Sequence, residues 1–303
     1  MRGRGAMKTG KRMVAPMKKL CLLALGLAPV LRVSAQSQTI TSWVFENLGT
    51  TAAPYNTPAA TFGAGTATQL GMNNSYTFNN GEGPGSAANC DVLATAGAST
   101  GSGAYAWRVR GNGNSANTGP GVANGWNSAA PIATQGAMFT ANTTLFNNLT
   151  LSVDINATGQ GERNLAILFT LDDTAATPTW QNATITSAGS QGTLFNNSSS
   201  SLTISGNYVQ LSGAGTGWNN RITASFPGVS QDPNFAVEIV NASTGADDVS
   251  TAGTALNNSS GNWRYDNVII SGVSVVPEPS SIALAGLGGL ALLARRRPAK
   301  RQA

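Results

Sequence analysis

Apolar side chains recur along this chain with a period of two. Over residues 149–155 (LTLSVDI), Leu149, Leu151, Val153 and Ile155 alternate with Thr150, Ser152 and Asp154, the spacing of a strand with one face buried and the other toward water. Similar short β-branched and aromatic runs, bounded by turn residues, predict strands over 40–45 (ITSWVF), 105–110 (YAWRVR), 165–171 (LAILFTL), 180–186 (WQNATIT), 221–226 (RITASF), 235–240 (FAVEIV) and 263–273 (WRYDNVIISGV). No long stretch places apolar residues at helical spacing among good helix formers. Gly/Asn/Ser-rich segments such as 111–127 and 195–201 separate the runs, as loops that tolerate positive φ. The pattern predicts an all-β fold, a single antiparallel β-sandwich with jelly-roll-like connections over residues 36–275. A β-solenoid is the alternative, and no fixed-period repeat supports it.

The two ends have a different character. Met17, Lys18 and Lys19, the apolar run from Leu20 to Leu31, and Val33-Ser34-Ala35 have the layout of a secretory signal peptide over residues 1–35. The Sec machinery would carry it and signal peptidase would cut it between Ala35 and Gln36. Residues 1–16 are then either an extended leader or the product of a start placed too early. At the other end, residues 276–303 begin with Val276-Pro277-Glu278-Pro279, continue through a short hydrophobic helix over 282–294, and close on Arg295-Arg296-Arg297. Thirteen residues of helix span about 20 Å, against about 30 Å for a bilayer's hydrocarbon core. That length suits transient membrane insertion, with the arginines held on the cytoplasmic side.

Charge follows the same division. All eighteen Lys and Arg lie in residues 1–35 and 295–303 apart from Arg108, Arg110, Arg163, Arg221 and Arg264, while all thirteen acids lie between them. Five arginines against thirteen acids leave a net of −8 over residues 36–294. The basic balance of the whole chain therefore belongs to its targeting segments and excludes nucleic acid as the expected partner.

Chemistry is sparse. The chain has no histidine, which excludes Ser-His-Asp and Cys-His catalysis and histidine-based metal sites. Cys21 leaves with the leader, so Cys90 can form no intrachain disulfide and reads as a small apolar core residue. Paired carboxylates remain as a hydrolytic option. Asp172-Asp173 reads as a hairpin turn, and Arg264 with Asp266 as a structural ion pair or turn clamp. Asp247 and Asp248, in a loop-like stretch, are candidate ligands of a calcium ion, the one cofactor the sequence suggests. Trp126 and Trp218, flanked by turn residues, are candidates for stacking on sugar rings, whereas Trp43, Trp107, Trp180 and Trp263 lie in strand-like runs and are expected in the core.

The Pro-Glu-Pro triplet, the Gly/Ala/Leu-rich segment and the terminal arginines together resemble the PEP-CTERM sorting signal of Gram-negative bacteria that make extracellular polysaccharide. The resemblance implies processing by exosortase, a membrane-embedded enzyme, during export to the cell surface, the outer membrane or the extracellular matrix. Trp107-Arg108-Val109-Arg110-Gly111, residues 234–242 (NFAVEIVNA) and 263–268 (WRYDNV) are similar to motifs shared among PEP-CTERM proteins of the Verrucomicrobia and Planctomycetes type, which implies a common sandwich domain and no particular activity. Three functional classes follow: a noncatalytic surface or matrix protein associated with exopolysaccharide and biofilm, a carbohydrate-binding module, and a two-carboxylate glycoside hydrolase, with the first favoured.

Overall fold

The computed structural model describes residues 36–45, 58–72, 74–77, 106–110, 125–191, 203–205, 207–212, 218–256 and 261–275, with 286–289 and 291–292. All belong to the second of two compact units, Ala35–Ala303, the first being Met1–Ser34. Ala35, Cys90 and residues 276–279 and 295–297 lie outside the described residues.

The described residues form two antiparallel sheets. The larger has, in spatial order, β10 (Ser190–Gln191), β13 (Trp218–Ser225), β6 (Phe146–Ala157), β15 (Asn262–Ser274), β4 (Trp107–Arg110) and β3 (Asn74–Thr77). In the same sheet β1 (Ser37–Trp43) lies along β15 and β9 (Thr184–Ser187) along β13. The smaller sheet runs β11 (Thr203–Ser205), β12 (Tyr208–Gln210), β7 (Asn164–Thr170), β14 (Phe235–Asn241), β5 (Gly136–Ala141) and β2 (Ala67–Leu70), with β8 (Gln181–Asn182) also against β7. From β4 to β7 and again from β12 to β15, each successive strand belongs to the opposite sheet, a connectivity that builds a sandwich from long-range pairs. The sequence expectation of an all-β sandwich holds.

The alternation read in residues 149–155 is realised: Leu149, Leu151, Val153 and Ile155 are buried in the common core. Paired residues on neighbouring strands share a face, so β15 adds Trp263, Tyr265 and Ile270, and β14 adds Phe235, Val237 and Ile239 from the opposite sheet. Aromatic rings bridge the layers. Phe139 of β5 meets Trp107 of β4 and Tyr265 of β15 edge-on, with centroids 6.0 and 5.7 Å apart, a geometry that favours ring quadrupoles. The Tyr265 hydroxyl donates to the Ile239 carbonyl across the core at 3.2 Å, and burial pushes its pKa well up.

Two expectations are corrected. Residues 180–186 do not form one strand. The segment divides at the buried Ala183, whose N–H still donates to Ile167 O of β7; β8 joins the smaller sheet while β9 joins the larger. Trp180, expected in the core, is only half-buried just before β8. In the C-terminal segment, residues 286–289 and 291–292 are helical and exposed, and among the described residues no helix is long and apolar enough to cross a membrane.

Candidate functional site

Three regions bring functional side chains together. The first is a polar knot at one end of the sandwich, where the loop entering β7 meets the turn leaving β14. Asn241 fixes that turn: its Oδ1 accepts from the Thr134 and Gln135 N–H groups at 3.0 Å each, and its Nδ2 donates to the carbonyls of Pro131 and Ser243. Beyond it a single 3-10 turn, Gly245–Asp247, ends on the first of two adjacent aspartates, with Asp248 as its C-cap. Asp247 is exposed, so it stands apart as a ligand candidate, whereas Asp248 is buried. The partner that the fold gives Asp248 is Glu162, a residue that sequence reasoning missed because nothing local marks it. Ser243 Oγ lies 3.3 Å from Glu162 Oε1 and 3.2 Å from Asp248 Oδ1. Asn164 completes the knot, its backbone N–H donating to Glu162 Oε1 at 2.6 Å and its Nδ2 to Ser243 Oγ at 2.9 Å and Asp247 O at 3.2 Å. Burial, reinforced for Glu162 by the neighbouring Asp248 carboxyl, holds both acids above the usual carboxylate range.

The second region is the outward face of the smaller sheet. Strand register puts Thr68, Met138, Glu238, Leu168 and Asn182 in one cross-strand row and Leu70, Gly136, Val240, Ala166 and Tyr208 in the next. Gly136 is required there, because a Cβ would sit 2.2 Å from the Ile239 carbonyl oxygen. Glu238 lies in the middle of this face, 7% exposed, and burial raises its pKa to about 7. Met138, Leu168 and Tyr208 around it are half-buried. The row thus sets a buried carboxyl between the half-buried apolar side chains of Met138 and Leu168, with Tyr208 two strands away in the next row.

The third region is the outward face of the larger sheet, where Asp154, Asn156, Arg108, Arg264 and Asp266 occupy positions opposite to the core residues yet are buried. Asp154 and Asp266 are register partners. Asp266 Oδ1 accepts from the Asn267 N–H at 2.8 Å, within β15 where its pairing with β6 shifts register rather than in a turn.

The remaining expectations fall as follows. Trp126 does not present its ring to solvent. It is 1% exposed and packs on Trp263 with centroids 4.5 Å apart, because Gln135 ties down its loop: Nε2 donates to Gly125 O at 2.5 Å and Oε1 accepts from Asn127 N–H at 3.0 Å. Trp218 opens β13 opposite Asn156, and its side chain lies outside the described residues. Asp172 is a turn residue, as expected. Its Oδ1 accepts from the Thr170 hydroxyl and from the Thr179 N–H, bonds that hold its pKa below the usual value. The buried acid pairs cannot flank a glycosidic bond as a two-carboxylate hydrolase requires, since Glu162 and Asp248 are 0% and 3% exposed. A cleft of about 460 Å³ between the β6 start and the turn after β13, lined by Asn147, Thr150, Phe226 and Pro227 among others, contains no ionisable side chain.

The fold and its ending define a β-sandwich followed by a terminal peptide of sorting-signal composition. Residues 275–297 match the PEP-CTERM protein-sorting motif, a span that includes Val276, Pro277, Glu278, Pro279 and the three arginines from Arg295 to Arg297. Such a signal implies export to the cell envelope or the extracellular space of a Gram-negative bacterium. No curated protein sequence matches the chain. Among solved structures it is similar to the CBM22-1–GH10 modules of Clostridium thermocellum endo-1,4-β-D-xylanase 10B complexed with xylohexaose (TM-score 0.34, 11% identity, 79% of this chain and 29% of that one). It is also similar to the CBM22-1 xylan-binding domain of Paenibacillus barcinonensis Xyn10C (TM-score 0.35, 8% identity, 80% of this chain and 99% of that one). The chain thus spans 29% of the length of the first of these, and at such scores the likeness is confined to general sandwich shape.

Proposed function

We propose that this is a noncatalytic surface or matrix protein, exported through a cleaved leader and sorted by an exosortase that processes it near Pro277-Glu278-Pro279. One relationship supports this reading above the others: the sheet ends where the signal begins. The final strand β15 stops at Ser274, the Val275 N–H donates to Leu145 O at 2.9 Å just beyond it, and the motif match starts at residue 275. Removing everything beyond that bond leaves every described sheet pairing in place, which is what a detachable sorting peptide needs. The test is the intact mass of the exported protein from exosortase-positive and exosortase-null hosts. Loss of the C-terminal peptide in the positive host alone supports sorting, and retention of residues 280–303 in both makes the segment an anchor.

A second reading, binding of extracellular polysaccharide, draws support from the outward face of the smaller sheet. Half-buried Tyr208 there shares a cross-strand row with Ala166, Val240 and Gly136, beside the row centred on Glu238. Sugar rings stack on such aromatic faces while a carboxyl accepts hydrogen bonds from their hydroxyls. A pull-down against soluble and insoluble polysaccharides tests it. Retention lost in Tyr208→Ala favours binding, and none across the panel leaves the structural role alone.

A further inference from the structure

We propose that Glu162, Asn164 and Asp248 form a calcium-binding site at the end of the sandwich where the entry to β7 meets the turn after β14. Each supplies one buried oxygen that no N–H or hydroxyl donor reaches: Glu162 Oε2, Asn164 Oδ1 and Asp248 Oδ2, on residues 0%, 6% and 3% exposed, and the two carboxyls can pair with each other only by sharing a proton. Buried acceptors are almost always satisfied, and three orphans in one knot mark a missing electrophile. The surrounding hydrogen bonds fix the atoms that remain. Asn164 Nδ2 must face the Asp247 carbonyl, which can only accept, so its Oδ1 is the end left over. Ser243 Oγ has one proton to offer, yet it lies within reach of both Glu162 Oε1 and Asp248 Oδ1. One carboxylate contact therefore lacks a donor whichever way the hydroxyl turns.

Ligand chemistry then selects the ion. Two carboxylates and an amide oxygen, the last from the first residue of β7, are hard donors of the kind calcium takes at six- to eightfold coordination, with water completing the shell. The chain has no histidine, and thiophilic or imidazole-seeking metals gain nothing here. Asp247, its neighbour in sequence, contributes its backbone to the knot and leaves its carboxylate exposed. The competing occupant is a proton shared between Glu162 and Asp248.

Trp263 provides the probe. Its Nε1 donates to the Glu162 carbonyl at 2.8 Å, so the indole is adjacent to the site and can sensitise a lanthanide held there. The experiment takes the full chain in detergent micelles, freed of metal by a chelator, and titrates terbium while exciting tryptophan. The expected result is saturable sensitised emission, reversed by calcium and not by equimolar magnesium, retained in Asp247→Asn and lost in Glu162→Gln and Asp248→Asn. Calcium should also raise the Tm of the wild-type chain, a readout that does not depend on either variant folding. Emission that calcium fails to displace, or that survives in both Glu162→Gln and Asp248→Asn, overturns the proposal, as does a wild-type Tm indifferent to calcium. Displacement by magnesium as readily as by calcium overturns the assignment of the ion.

Discussion

Asp154 Oδ1 accepts a hydrogen bond of 2.6 Å from the backbone N–H of Arg221, and Arg221 sits at φ 56° in a bulge of β13 where the pairing with β6 shifts register. On the other side of Asp154, its Oδ2 accepts from Asn267 Nδ2 at 3.0 Å, and Asn267, at φ 46°, occupies the matching bulge of β15. One carboxylate on the central strand thus clamps the irregularities of both neighbours. Left-handed φ strains a non-glycine residue and persists only where the surroundings over-determine it. Asp154→Ala removes both acceptors and should destabilise the fold by about 3 kcal/mol in denaturant titration, whereas Asp154→Asn, which keeps one carbonyl acceptor, should lose less. Equal stability of Asp154→Ala and wild type would show that the bulges hold without the clamp.

Trp126 is structural. Replacing it by Ala empties a site against Trp263 and should cost about 3–5 kcal/mol, with no effect on polysaccharide retention beyond that of lost folding. A Trp126→Ala chain of unchanged stability that had lost sugar binding would restore the surface role expected from the sequence.

Glu238 gives the smaller sheet a pH response. Its folded pKa of about 7 lies above the ordinary 4.5, so between those values the native state holds more protons than the unfolded chain, and stability falls as pH rises. The penalty is absent below about pH 4.5 and complete above about pH 7. Because part of this face is open to water, screening reduces it to about 1–2 kcal/mol. Glu238→Gln should remove the response, and the difference in unfolding free energy between the two proteins at pH 5 and pH 8 measures it.

Truncation separates signal from scaffold. A chain ending at Val275 should match the stability of the longer protein within about 0.5 kcal/mol. One ending at Ile270 loses the partners of Ser37, Gln38 and Thr39 in β1 and should be weaker by about 2 kcal/mol or more. Comparable stabilities for the two truncations would mean that the β1 ladder contributes nothing.

The strands that the sequence reveals are those whose alternation is dense in Leu, Ile, Val and aromatics, such as β6, β14 and β15. Strand β5 (GAMFTA) escapes because Gly136, Ala137 and Ala141 carry little apolar weight, although Phe139 is central to the core. Asp154 reads as solvent-facing by alternation, and that is true of its direction but not of its burial. Trp126 reads as exposed because local turn residues surround it, while the side chain that pins its loop, Gln135, lies beyond the next turn. Asp247 and Asp248 are indistinguishable in sequence. Only the 3-10 turn sends one outward and the other toward Glu162, a pairing between distant segments that no local pattern encodes. The sorting peptide is the opposite case, since its features are ordered along one short stretch and need no fold to be read.

Strand β15 pairs with β1, β4 and β6, so the larger sheet is assembled around its last strand in the sequence. A chain emerging from its N-terminus keeps β1 and β4 without their main partner until nearly all of the domain has followed, and long-range pairing of this kind is slow. Whatever grips the residues after Val275 therefore acts when the keystone strand has only just arrived. Under the proposed sorting, retention at the membrane would give the sheet time to close before release, so that the sorting peptide would also time folding.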